Sequence, residues 1–156
     1  MDMGALARLI VIDILVICVT AIVIGGSAPR WPTRWLQRDR GPLTLTRYDT
    51  VDRYRRLGVT WWVRVLPEGG SWLGGKSKST LPGRDVESLQ SYLVEVRRGE
   101  WVHWLMMFAW LPLVFLNPWW LTALFAVAVF CLNAVFLLVL RYNQLRLTAL
   151  LHRMQR

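Results

Sequence analysis

Residues 119–140 form an apolar run of 22 residues whose only clearly polar members are Thr122 and Asn133. As a helix rising 1.5 Å per residue it would reach about 33 Å, enough to cross the hydrocarbon layer of a bilayer. Immediately before it stands Asn117-Pro118, and before that a second apolar run, 101–116, which contains His103 and Pro112. A turn this short permits only a tight helical hairpin, so the two runs are predicted to be antiparallel neighbours. Trp119 and Trp120 follow the turn directly, where an aromatic belt at a membrane face would lie.

A third run, 6–24, carries Arg8 and Asp13 and closes at Gly25-Gly26. Its 19 residues would reach roughly 28 Å. A secretory signal peptide competes with a retained anchor for this segment. Asp13 inside the stretch and the absence of a clean basic start favour the anchor, although Ser27-Ala28 resembles a cleavage site. The expected fold is therefore an all-α integral membrane protein of three transmembrane helices, forming one membrane domain over residues 1–156. With 54% hydrophobic residues and ten Trp in 156 residues, the composition disfavours an ordinary cytosolic enzyme and excludes a disordered chain. Cys18 and Cys131 both sit in apolar runs, so neither a disulfide framework nor a thiolate metal cluster is expected.

Of 19 basic residues, 14 lie between the runs 6–24 and 101–116 and four more in the tail at 141–156. The 117–118 turn has none. The positive-inside rule then puts the N-terminus and the turn outside, with the middle segment and tail on the cytoplasmic face of the cell (inner) membrane. The net charge of +9 suits an anionic leaflet better than nucleic acid.

Residues 26–100 contain too little apolar sequence for a core of their own. Residues 49–66 are predicted to form one interfacial helix, with Tyr54, Trp61 and Trp62 among the headgroups and Arg53, Arg55, Arg56 and Arg64 near phosphates. A solvated helix packed on the spans is the alternative. The loop 67–82 contains Gly70, Gly75, Lys76 and Ser77 at the spacing of a phosphate-binding loop. It lacks the flanking strand and amphipathic helix, and Pro82 follows too soon, so nucleotide hydrolysis is not expected. A surface loop whose Lys76 and Lys78 meet an anionic donor fits better. Residues 84–99 are predicted to form a helix leading into the second run.

Glu100 and His103 are three residues apart and share a helical face. His103 lies 14 residues before Asn117, and Asn133 lies 15 after Pro118. These arms are about 21 and 22 Å long, so Asn133 comes level with His103 across the hairpin. Arg141, eight residues beyond Asn133, lies on nearly the same face. Singly, each residue has an ordinary explanation: an interhelical hydrogen bond for His103 or Asn133, a positive-inside anchor for Arg141. Together they suggest a site, because such groups are costly inside a span. A histidine beside a carboxylate can act as a general base, with Asn133 or Arg141 stabilising an oxyanion. No Ser or Cys is placed as a nucleophile, which favours direct transfer, and one His with one Glu are too few ligands for a metal.

Glu100-x-x-His103-Trp104, an apolar hairpin, Asn133, then Arg141-Tyr142-Asn143-x-x-Arg146-Leu147 with Leu150-Leu151 resembles the glycosyl-diaponeurosporenoate acyltransferases of staphyloxanthin-type carotenoid synthesis. The likeness covers mainly residues 95–151. It departs from the family pattern at Leu140, at Gln144, and in lacking a Pro soon after Asn133. The resemblance implies transfer of a fatty acyl group to a sugar hydroxyl of a membrane glycolipid. It further implies site positions at Glu100, His103, Asn133 and Arg141, with Trp104, Tyr142, Asn143 and Arg146 beside the substrate. An acyl thioester such as acyl-CoA is the expected co-substrate, with no permanently bound cofactor, and a homo-oligomer is plausible for so small a bundle. A non-catalytic subunit of a lipid-pathway complex, or a small membrane lipid methyltransferase, are the competing functions.

Overall fold

The structure, a computed structural model, describes residues 2–38, 40–65 and 85–156, and among these it is all helical, with no strand. Five α-helices succeed one another: α1 (Met3–Ser27), α2 (Val51–Arg56), α3 (Val59–Val65), α4 (Val86–Met106) and α5 (Trp119–Met154). Short 3-10 turns fill Ala28–Arg30, Thr33–Trp35, Gly41–Leu43 and Leu111–Phe115.

The core is the antiparallel pair α4 and α5. Leu89, Leu93, Val96, Glu100 and His103 recur at alternating steps of four and three along α4, as do Asn133, Leu137, Leu140, Gln144, Leu147 and Leu151 along α5. That spacing is the seam of a coiled coil. Every one of these residues but the half-buried His103 is buried. At one end Leu89, Leu93 and Val96 pack against Leu140, Leu147 and Leu151, with Gln144 as a buried polar seam residue among them. Toward the hairpin turn, Glu100, His103 and Asn133 take seam positions. Polar side chains there must find partners inside the pair, because a buried polar group left alone costs free energy.

Among the described residues two helices, α1 and α5, are long and apolar enough to cross a membrane, where three were expected. The second run, 101–116, is not a helix throughout. α4 ends at Met106, turns follow, and Pro112 sits in the first turn of the 3-10 segment. Proline has no N–H and its ring clashes with the carbonyl four residues earlier, so an α-helix cannot pass through Pro112 undisturbed. The backbone has already tightened before it: Phe108 N bonds Leu105 O and Leu111 N bonds Phe108 O. This irregular return lies against α5 and α1, with Met107, Ala109 and Leu113 buried and the Thr122 hydroxyl donating to Leu113 O at 3.3 Å. Backbone of this kind is tolerated at membrane depth only where protein covers it.

α1 lies alongside the return segment and α4. Near its middle, Asp13 is fully buried and accepts a 2.8 Å hydrogen bond from the Asn117 amide in the turn. At its other end Arg98 Nη1 donates to Ala28 O at 3.0 Å. Leu15, Val19 and Ile22 on α1 and Leu124, Val127 and Leu132 on α5 remain exposed. The predicted helix 49–66 is two short helices, α2 and α3, broken at Gly58, whose φ of 71° is a left-handed conformation that glycine adopts without strain. The expected helix 84–99 exists as the first part of α4, capped by Asp85, which accepts from Ser88 N at 2.9 Å. Residues 141–154 are not a separate tail but a continuation of α5.

Asn117→Ala should destabilise the protein by about 1–3 kcal/mol by removing the Asp13 partner, while Asp13→Leu with Asn117→Leu together should be nearly neutral. Thermal unfolding of the purified variants checks this difference.

Candidate active site

Two polar rungs cross the α4–α5 pair. In the first, His103 Nδ1 and Asn133 Oδ1 are 2.8 Å apart. The Asn133 amide cannot turn round, because its Nδ2 donates at 2.8 Å to Val129 O, one turn earlier on α5, and a carbonyl only accepts. Oδ1 therefore faces the imidazole. Since Oδ1 also only accepts, Nδ1 must carry the proton, and in the neutral ring the basic lone pair lies on Nε2. Phe136 stacks on the ring at 4.7 Å between centroids with planes 5° apart, which fixes the imidazole's tilt.

In the second rung Arg141 Nη1 lies 3.6 Å from Glu100 Oε2, the Glu100 side chain being fully buried. The same guanidinium reaches beyond the pair. Nε and Nη2 grip Asp49 at 3.2 and 3.0 Å, Nη1 donates to Pro42 O at 2.6 Å and Nη2 to Thr44 O at 2.9 Å. A planar guanidinium suits this two-pronged hold on a carboxylate. All three of its nitrogens are engaged, so Arg141 is not placed as an oxyanion donor beside His103.

Arg141 is the largest of several donors that hold down the irregular segment 28–50. Arg97 Nη1 donates to Leu36 O and Gln37 O at 3.2 and 2.8 Å, and Gln144 Nε2 donates to Leu43 O at 3.0 Å. Leu36 and Leu43 are buried beneath it. These side-chain donors satisfy backbone carbonyls of the strap where it packs on the helices. At Leu140 and Gln144, where the sequence departs from the family pattern, the structure has a packed leucine and this strap-holding amide.

Asp49 is the partner that sequence reasoning missed. Burial alone would raise its pKa, but hydrogen bonds from Arg141, Tyr54 and Thr46 outweigh burial and hold the carboxyl well below the usual range. Tyr54 donates its hydroxyl to Asp49, and burial together with that carboxylate pushes the phenol up to about 12. Nothing local in the sequence marks this contact, since Asp49 and Arg141 stand 92 residues apart.

Other predicted site residues fall elsewhere. Tyr142 is buried against Tyr54, with centroids 6.2 Å apart, and Arg146 lies over its ring at 5.5 Å, so neither is brought to His103. Asn143 is half-buried on α5. Trp104 follows His103, and its indole N–H is buried without an acceptor among the described residues. Lys76 and Lys78, with the whole glycine-rich loop, lie outside the described residues. No group of three or more His, Cys, Asp or Glu side chains among the described residues could hold a metal ion. A cleft of about 810 Å³ is lined by residues that include Ser91, Val94, Arg98, Thr148 and His152. None of Glu100, His103, Asn133 and Arg141 lines it.

Asp49→Asn should cost about 3 kcal/mol at neutral pH by leaving Arg141 partly unpaired. Because folding depresses the Asp49 pKa, the stability it contributes is present above about pH 4 and lost as pH falls below that value. Denaturation of parent and variant across this window should show a shallower acid dependence for Asp49→Asn.

No curated protein and no solved structure matches the chain. The family model for glycosyl-4,4'-diaponeurosporenoate acyltransferase matches residues 32–153, more than three quarters of the chain. The matched region takes in the strap, α2 to α5 and both rungs, and leaves α1 outside. The chain belongs to the glycosyl-4,4'-diaponeurosporenoate acyltransferase family, an acyltransferase family of carotenoid biosynthesis.

Proposed function

We propose that the protein is a membrane-embedded acyltransferase that moves a fatty acyl group onto a hydroxyl of a lipid-linked sugar, with His103 as the general base. The observation that carries this reading is the chain from Val129 O through the Asn133 amide to His103 Nδ1, which leaves Nε2 as the basic nitrogen. A base of this kind works when its proton-accepting atom is settled before the substrate arrives.

In the reaction, Nε2 takes the hydroxyl proton as the sugar oxygen attacks the carbonyl carbon of an acyl thioester such as acyl-CoA. The C–O bond forms while the carbonyl becomes an oxyanion. Collapse breaks the C–S bond, and the proton on Nε2 passes to the departing thiolate. Trp104, the next residue on α4, carries a buried indole N–H that the described residues leave without an acceptor, and we assign it as the oxyanion donor, a role that requires the indole to turn toward the His103 face. Glu100 and Arg141 act as positioning residues. Their rung keeps α4 and α5 in register one turn from His103 and ties that register to the strap.

Lipid would cover the exposed apolar faces of α1 and α5, which in water would form an unusually large bare patch. The strap and the outer parts of α4 and α5 would then face the cytoplasm, with the 117–118 turn outside, as the distribution of basic residues requires. Lys76 and Lys78 remain candidates for contact with an anionic donor.

Asn133→Leu preserves the imidazole but removes the acceptor at Nδ1, and His103→Ala removes the base. Each should lower kcat by about 10²–10⁴ with a smaller effect on KM. Trp104→Phe should lower kcat by about 10²–10³ if the indole N–H meets the oxyanion. Acyl transfer from acyl-CoA to a glycolipid acceptor, followed by mass spectrometry in vesicles, reads all three. Full activity in His103→Ala would contradict the proposal.

A further inference from the structure

On the side of α5 turned away from His103 lies a groove of about 470 Å³ lined by Tyr48, Asp49, Arg53, Tyr54, Leu57 and Leu138. Its volume falls in the range of small-ligand sites. Leu138 is five residues after Asn133, about 140° round the helix, so α5 itself separates this groove from the proposed catalytic face.

The groove has two chemically different ends. At one end are Leu138, in the apolar stretch of α5 one turn before Arg141, and Leu57, which is 51% exposed. At the other, Arg47 and Arg53 both approach the Tyr48 ring, at 4.8 and 5.9 Å from its centroid. Two guanidinium groups are thus gathered round one exposed phenol, and Arg47 also donates to the Tyr48 hydroxyl at 2.6 Å. Among the described residues neither cation is in an ion pair. The nearest carboxylate in the lining, Asp49, is already held by Arg141, Tyr54 and Thr46. Asp52 is exposed in the first turn of α2 and makes no ion pair with either arginine. Among the described residues these two arginines therefore have no ion-pair partner at one end of a trough whose other end is aliphatic.

We infer that this groove binds one anionic phospholipid of the bilayer, its phosphate at Arg47 and Arg53 and an acyl chain along Leu57 and Leu138. The inference rests on the membrane placement proposed above, because only there do cationic and apolar ends meet headgroup and hydrocarbon at once. Arginine is suited to the phosphate through its fork of donors. Acyl transfer at His103 does not require the groove, so its lipid would be a structural one.

The full chain purified in detergent, then exchanged with phosphatidylglycerol or phosphatidylcholine and examined by native mass spectrometry, tests the inference. The parent should retain one phosphatidylglycerol in preference to phosphatidylcholine. Each basic side chain near an anionic surface contributes roughly fivefold, so Arg47→Ala with Arg53→Ala should weaken retention about thirtyfold. Leu138→Trp, which fills the apolar end and removes no charge, should weaken it as well. Equal retention of the two lipids, or unchanged retention in the double arginine variant, would overturn the inference. So would displacement of the lipid by inorganic phosphate alone, which would mark a headgroup site with no acyl contact. Co-flotation of the parent with phosphatidylcholine vesicles separates the two proposals: flotation without lipid preference removes only the groove, whereas no flotation removes the membrane placement with it.

Discussion

Arg141 is the residue through which the parts of this protein meet. It sits on α5 beside the seam, touches buried Glu100 on α4, and holds Asp49 together with two carbonyls of the strap. A two-helix coiled coil has no inherent reason to fix an irregular segment of some twenty residues against one flank. Strap carbonyls have to be satisfied, and helices satisfy their own, so the donors must be side chains. Arg97, Arg98, Arg141 and Gln144 fill that role, each from a position on or beside the seam. Removing water from charged groups is costly, and an arginine with several good acceptors at once recovers more of that cost than a single ion pair would.

The chemistry follows from the same geometry one turn further along. A polar seam position is normally a source of register and orientation. Asn133 provides both, since Val129 fixes its amide and its amide fixes the imidazole. The proposed base therefore gets its tautomer from a backbone carbonyl through a carboxamide. Glu100, one turn away on the same face of α4, lies 3.6 Å from Arg141 and joins the imidazole to the second rung.

Much of the architecture could be read from residues alone. The Asn117-Pro118 turn correctly marks where the chain reverses, and His103 does face Asn133, although the link between α4 and α5 runs irregularly from Met107 to Pro118 and not at a uniform helical rise. The leucine spacing through Leu89, Leu93 and Val96, and again through Leu137, Leu140 and Leu147, was also present in the sequence, and it extends to include Gln144. Composition misled at two points. Counting apolar residues made 101–116 a span, although Pro112 interrupts the hydrogen-bond ladder that a helical span needs. Counting arginines also assigned Arg97, Arg98 and Arg141 only to the cytoplasmic side, whereas each is turned inward onto a backbone carbonyl. The Asp49–Arg141 contact had no local signature at all, because it joins segments that only the finished fold brings together.

The most direct measurement is the protonation pattern of the His103 ring itself. Nitrogen NMR of protein labelled with 15N-histidine, with His152→Gln used to assign the two rings, reports which nitrogen carries the proton near neutral pH. The account predicts a neutral ring protonated at Nδ1, with that pattern lost in Asn133→Leu. A ring protonated at Nε2, or one indifferent to Asn133, would contradict it.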